Sequence, residues 1–245
     1  MTKILLHGVQ SPNVVKVAIM LDELKLDYDL HHVSVFKGEQ FKEDFLAKNP
    51  LGKVPVLEDP SLGVPLAESG AILFYLAERH RAFLPTDAPA RYQVMQWLMV
   101  QMASVGPMLG QFTHFGLLPE GSEAYGLGRY REIAMRLYRL VDSRVAEREW
   151  IAGGDYSIAD IATQPWMHYL ERHGLNIADY PALQAWRDRI DARPAVQRAQ
   201  QRIVDAFAET ASEEMGKANA EDLDRFFGRN EAMPEMDYSV VRQMR

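Results

Sequence analysis

A chain of 245 residues and 27.9 kDa has room for one large domain or two small ones. Apolar residues make up 47% and charged residues 25%, so there is enough apolar surface to offset chain entropy and wholesale disorder is excluded. A net charge of −7 argues against a nucleic-acid binder, and the absence of cysteine removes disulfides, thiolate-held zinc, iron–sulfur clusters and any protein-borne thiol nucleophile.

Residues 3–9 read as a short buried strand, broken by Ser11-Pro12-Asn13. Residues 14–25 follow a helical rhythm, with Val14, Val17, Ala18, Leu21 and Leu24 recurring three and four apart. Residues 28–35 alternate as a second strand, and 43–48 suit a short helix. Pro55 stands just before another strand-like run, where a strand tolerates proline. Residues 64–67 suit a fourth strand, and Glu68-Ser69-Gly70 opens a helix reaching about Arg79. This order predicts a small α/β layer.

Two prolines between Phe83 and Pro89 mark a linker, and only helical patterning follows to about residue 207. A helix over 90–115 should kink at Gly106-Pro107. Further helices are expected at 126–147, 158–173, 182–191 and 195–207. Tyr156-Ser157-Ile158-Ala159-Asp160-Ile161 reads as a capping box with Ser157 as N-cap, Asp160 at N3 and a Tyr156–Ile161 staple. As a cap alone, Asp160→Ala should cost about 1 kcal/mol. The polar stretch from Glu209 to Arg245 reads either as a partly ordered extension over a domain or a neighbouring subunit, or as a disordered tail. The expected division is therefore 1–84, a linker at 85–89, a helical domain at 90–207 and an extension at 208–245.

No stretch approaches the roughly 18 apolar residues of a membrane span, and the first residues lack a secretory apolar region. A cytoplasmic protein without membrane or nucleic-acid partners is expected. His31 and His32 face opposite sides of a strand, and His168 and His173 lack a third ligand nearby, so no metal site is expected.

Asn49-Pro50 with Lys53-Val54-Pro55, Glu68-Ser69 at a helix start, and Ser157-Ile158-Ala159-Asp160 together resemble the glutathione transferase superfamily over about residues 1–205. Ser11-Pro12-Asn13, Gly38-Glu39-Gln40-Phe41 and the run from Gly106 to Phe115 resemble its bacterial Nu class, related to the yeast nitrogen-regulator prion protein. The departures are Ser11, where threonine is common, and the long C-terminal extension. The implied fold is a thioredoxin-like domain of class α/β followed by an all-helical domain. The implied activity is glutathione-dependent disulfide reduction with weak conjugation, acting on a small disulfide or electrophile, in a homodimer. Cleavage of aromatic thioethers or ethers is one alternative; a non-catalytic glutathione-binding regulatory module is another.

The resemblance assigns roles that each compete with a plainer reading. Val54-Pro55 would be a cis bond presenting the Val54 backbone to the cysteinyl part of glutathione; the plainer reading is a strand-start proline. Ser69 would take the γ-glutamyl carboxylate at a helix N-terminus and Glu68 its ammonium; the plainer reading is capping by Ser69. Lys53 and Gln40 would hold the glycine end, or be solvated side chains. Asn13 first and Ser11 second would stabilise the thiolate, one charge-assisted hydrogen bond being worth about 1.5–3 kcal/mol; both residues also suit a plain turn. Sulfur exchange without a protein thiol needs two glutathiones or one beside a mixed disulfide or thioether. Arg129 is the candidate for a second carboxylate, against a solvated helix arginine. Phe112, His114 and Phe115 are candidates for an apolar substrate pocket, against ordinary core.

Overall fold

The computed structural model describes residues 3–118, 124–233 and 238–239. Strand β1 (Ile4–Gly8) leads through α1 (Pro12–Glu23) to β2 (Tyr28–His32), and β1 and β2 pair in parallel with Leu6 opposite Leu30. A chain that must return in the same direction needs such a crossover. After the short helix α2 (Glu43–Leu46) come β3 (Val56–Glu58) and β4 (Pro65–Ala67), an antiparallel hairpin that sets Leu57 against Leu6. The sheet order is β2-β1-β3-β4. Helix α3 (Ser69–His80) completes the unit. At Gly8 an added Cβ would lie 2.5 Å from a Val14 methyl, so the missing side chain lets α1 close onto the end of β1.

The second unit is all helical: α4 (Ala88–Val100), α5 (Gly106–Phe115), α6 (Ala124–Ala146), α7 (Ile158–Met167), α8 (Tyr169–Arg172), α9 (Pro181–Asp191), α10 (Pro194–Lys217) and α11 (Ala220–Phe227). Helix α4 starts at Ala88 because Asp87 caps it, accepting from the Ala90 amide at 3.1 Å. A wide π-helical turn at Gln101–Val105 directly precedes Gly106-Pro107, where the sequence predicts a kink. The helix expected at 158–173 divides at His168 into α7 and α8. Helix α10 runs to Lys217, ten residues past its expected end, so the extension begins as helix and continues into α11. No helix among the described residues is long and apolar enough to cross a membrane.

A single buried core runs through both units, from Leu6, Val17 and Leu73 to Leu109, Trp186 and Phe207. Helix α1 is held to α10 by a two-pronged pair of Arg193 with Glu23, at 2.6 and 3.0 Å. Asp22 accepts from the Tyr28 hydroxyl at 2.8 Å, and Arg202 lies 4.0 Å from the Tyr28 ring centroid. The capping box at Ser157 forms. Asp160 does more than cap, however. It is fully buried, and its two oxygens accept from the Ile151 amide, the Trp186 indole, and the amide and hydroxyl of Ser157, at 2.9–3.1 Å. It thereby anchors three segments, the loop at Ile151, the start of α7 and Trp186 on α9.

Candidate active site

The site begins where β1 hands over to α1. Pro12 occupies the first helical position, where its fixed φ suits the helix and its missing N–H is no loss. Ser11 is the N-cap residue, yet its hydroxyl makes no capping hydrogen bond, and its carbonyl accepts from Val14 and Val15. Ser11 lines a cavity.

Asn13 is held by two donors. Its Oδ1 accepts from Lys16 Nζ at 2.8 Å and from Trp166 Nε1 at 3.1 Å. The indole N–H can only donate, so the oxygen must face it and the NH2 group is turned the other way. Asn13 lines a cavity of about 340 Å³ together with the 53–55 segment and the start of α3.

Lys16, one turn along α1, is 1% exposed. It also donates to Gln101 Oε1 at 2.8 Å, and Gln101 is presented by the π-helical turn. Burial holds the Lys16 amine well below the ordinary lysine range, while the Glu68 carboxylate pulls the other way. At Gly106 an added Cβ would come within 3.0 Å of Gln101 Nε2, so the absent side chain lets α5 close over this group.

The loop before β3 is organised by Asn49, a buried side chain whose amide donates to the Lys53 carbonyl at 2.7 Å and accepts from the Leu51 amide at 3.1 Å. The loop ends in a cis Val54-Pro55 bond. Lys53 is exposed and borders both this cavity and a larger one beside it.

Glu68, not Ser69, precedes the first residue of α3, with φ +66° and ψ 110°. A non-glycine residue there is strained, which aims its exposed carboxylate at the smaller cavity. Ser69 is buried, its hydroxyl 3.8 Å from Met102 Sδ. The first amides of α3 have no partner within the helix, which is the general character of a helix N-terminus.

The larger cavity, about 1240 Å³, opens between the two units. Its lining includes the polar Ser11, Gln10 and Lys53, the apolar Phe36 and Val204, and Arg172 and His114. Among the described residues no cluster of three or more histidine or acidic groups could hold a metal.

Ser11, Asn13, Lys53, Val54, Pro55, Glu68, Ser69 and His114 thus gather on the walls of two adjoining cavities. Four other candidate residues lie elsewhere. Gln40 is turned inward, donating to the Val35 carbonyl at 3.0 Å and bracing the turn after β2. Arg129 is exposed on α6 and borders neither cavity. Phe112 is buried with its ring 4.5 Å from His173, and Phe115 stacks on Tyr130 at 5.2 Å. Helical periodicity directs both rings into the helical packing, away from the cavity.

Lys16, Asn49, Gln101 and Trp166 escape the functional sequence reading. Gln101 and Trp166 lie 85 and 153 residues from the α1 groups they touch. For Lys16 one signal exists in the sequence: a cation at i+3 from Asn13 on an otherwise apolar helix.

Comparison with known proteins agrees with this geometry. The family described as glutathione S-transferase, N-terminal domain, matches residues 1–78, and its C-terminal domain matches residues 108–194. The disulfide-bond oxidoreductase YfcG of Escherichia coli (strain K12) is 40% identical over 199 residues, 79% of this chain and 93% of the relative. A glutathione transferase family member from Pseudomonas fluorescens, whose crystal structure has two glutathione bound, is 41% identical with a TM-score of 0.75, covering 81% of this chain and 92% of that one. A glutathione transferase from Pseudomonas putida, with one glutathione disulfide bound per subunit, is 36% identical with a TM-score of 0.76, covering 81% and 91%. On the strength of two matched domains and relatives aligned over nearly their full length, the chain belongs to the glutathione S-transferase family.

Proposed function

We propose that this protein is a glutathione-dependent enzyme whose principal reaction is disulfide reduction, with weak conjugating activity. The carrying observation is the pairing of Asn13: two donors occupy its oxygen, so its amide hydrogens are the part of this cavity-lining side chain left to donate to a sulfur. Glutathione would lie along the Val54-Pro55 backbone, with its γ-glutamyl end at Ser69 and Glu68 and its glycine end near Lys53. A free thiol has a pKa near ~8.5. Donation from Asn13 and the Ser11 hydroxyl favours the anion, and Lys16 positions the first of these.

The thiolate attacks one sulfur of the substrate disulfide, forming a mixed disulfide and releasing the other sulfur as a thiolate that takes a proton from water. A second glutathione thiolate attacks the glutathione sulfur of the mixed disulfide, giving glutathione disulfide and the second reduced product. The names and bound ligands of the relatives support this reading: YfcG is called a disulfide-bond oxidoreductase, and the Pseudomonas proteins hold two glutathiones or one glutathione disulfide. In the larger cavity Arg172, in place of Arg129, is the arginine that a second tripeptide carboxylate would meet. A homodimer is part of the proposal, supported by the exposed Tyr92 and Met99 on α4; sedimentation tests it.

Retention on immobilised glutathione, followed by a disulfide-reduction assay on wild type and Asn13→Ala, tests the reading. Loss of one charge-assisted hydrogen bond should lower kcat/KM by roughly 10- to 150-fold. Absence of glutathione binding ends the proposal, and full activity in the variant removes Asn13 from the chemistry.

A further inference from the structure

Three features beside the smaller cavity break ordinary rules of packing, and they touch one another. The first is Lys16, an amine inside the protein whose two hydrogen-bond partners are neutral oxygens, Asn13 Oδ1 and Gln101 Oε1. Among the described residues no carboxylate forms an ion pair with it, and Glu68 acts on it from beyond that range. Buried charges are ordinarily paired. The second is Gln101 itself. It is fully buried, and while its oxygen accepts from Lys16, its Nε2 has no partner among the described residues. A buried donor left unmade carries the full desolvation cost of the group. The third is the backbone that delivers Gln101, the π-helical turn at Gln101–Val105, closed by the Gly106 amide donating to the Gln101 carbonyl five residues back. Such wide turns are rare inside helices and concentrate at functional sites.

A chain selected for packing alone would carry apolar side chains at positions 16 and 101 and continue the α-helix past Val100. Where several local rules fail at one place, function is the usual reason. The turn is also held in place. Met102, its next residue, lies against the start of α3, with the Ser69 hydroxyl 3.8 Å from its sulfur. Trp166 on α7 donates to the same Asn13 oxygen that Lys16 meets. The helical unit therefore grips the Asn13–Lys16 pair through Gln101 and Trp166, and all four side chains line the smaller cavity.

A lysine amine sits on a flexible four-carbon stem and needs acceptors to fix its position. Burial disfavours its ammonium form, and each oxygen that accepts from it works in the opposite direction. Gln101 supplies one of only two such oxygens among the described residues. Glu68 and Lys53 border the same cavity with charges of their own.

We infer that Gln101 is a positioning residue for thiol activation: from the π-helical turn it holds the Lys16 amine against Asn13, so that the helical unit takes part in keeping the bound sulfur ionised. The inference rests on the proposed function and adds to that site a component from outside the N-terminal unit. Gln101 acts through Lys16 and has no contact with sulfur of its own.

The test is a pH titration of the ultraviolet absorbance of the glutathione thiolate bound to the full chain. Gln101→Met keeps the length of the side chain and removes the oxygen; Gln101→Leu removes it with a shorter chain and replaces the first variant if that one does not fold. Either should raise the bound thiol pKa by about 0.5–1.5 units, while S-methylglutathione, which has no thiol to ionise, binds within about twofold of wild type by calorimetry. In the double variant Lys16→Met, Gln101→Met the thiol pKa should equal that of Lys16→Met alone, because a residue acting through the amine has nothing left to act on. An unchanged thiol pKa in the folded Gln101 variant overturns the inference. So do shifts that add in the double variant, a loss of S-methylglutathione affinity equal to that of glutathione, or failure of both Gln101 variants to fold, each of which makes Gln101 structural. An unchanged pKa in Lys16→Met alone overturns it too and leaves the glutathione reading in place. Failure of wild type to bind S-methylglutathione overturns the underlying glutathione reading instead, and the inference with it.

Discussion

Replacing Lys16 by methionine separates chemistry from stability. The amine is buried and donates to Asn13 Oδ1 and Gln101 Oε1, both at 2.8 Å. Two hydrogen bonds spanning one amide put a thiolate roughly 7 Å from the Lys16 nitrogen. At an effective dielectric of about 20, that distance gives about 2.4 kcal/mol between unit charges. The corresponding upper limit on the rise in the glutathione thiol pKa is about 1.7 units. Burial lowers the amine's own proton affinity, but a bound thiolate raises it in return, so the two charges form together. Methionine has similar bulk and does not require burial of a charge, which offsets the roughly 1–3 kcal/mol of leaving the buried Gln101 oxygen without its donor, so the variant should still fold. The thiolate absorbs in the ultraviolet, so a pH titration of the glutathione complex reads the thiol pKa directly, and a thermal melt reads stability. A variant that folds and binds glutathione with its thiol pKa unchanged would refute the role given to Lys16 and weaken that given to Asn13.

Other outcomes follow from the same structure. Asp160→Ala should destabilise by about 3–5 kcal/mol in urea titration, because four buried donors lose an ionic acceptor at once; a cost near 1 kcal/mol would mean that only the cap matters. Glu68→Gly should relieve about 1–2 kcal/mol of backbone strain and leave the melting temperature equal or higher, while glutathione affinity falls at least tenfold by calorimetry. His173 is held neutral by burial, its pKa lowered to about 4. Thr113 donates to the Leu109 carbonyl, so its oxygen accepts from His173 Nε2–H, and Nδ1 accepts from the Tyr138 hydroxyl. As pH falls below about 6.5 the unfolded chain takes up this proton first, so stability present at neutral pH is lost towards pH 4, by about 1–2 kcal/mol after allowance for partial exposure. His173→Gln should flatten that part of the melting-temperature profile.

Local chemistry written in the chain determined much of this protein. The β-α-β-β-α order, the proline at the start of α1, the Ser157–Asp160 capping box and the helical run after residue 88 each rest on contacts a few residues apart, where periodicity and capping speak directly. Motif position alone also brought Ser11, Asn13, Lys53, Glu68 and Ser69 to the walls of adjoining cavities. Tertiary packing decided the rest. Which way the Asn13 amide faces depends on a tryptophan 153 residues away, and Lys16 is buried only because a π-helical turn delivers Gln101 to it. Phe112 and Phe115 sit beside His114 in sequence yet point elsewhere, since a helix distributes neighbours around its axis and only the packing partner chooses the face. The polar extension is less apolar than the chain as a whole. Its course was fixed by Glu214, Phe226 and Phe227 finding partners on elements folded long before it in the chain, and such long-range pairings leave no period for a sequence to display.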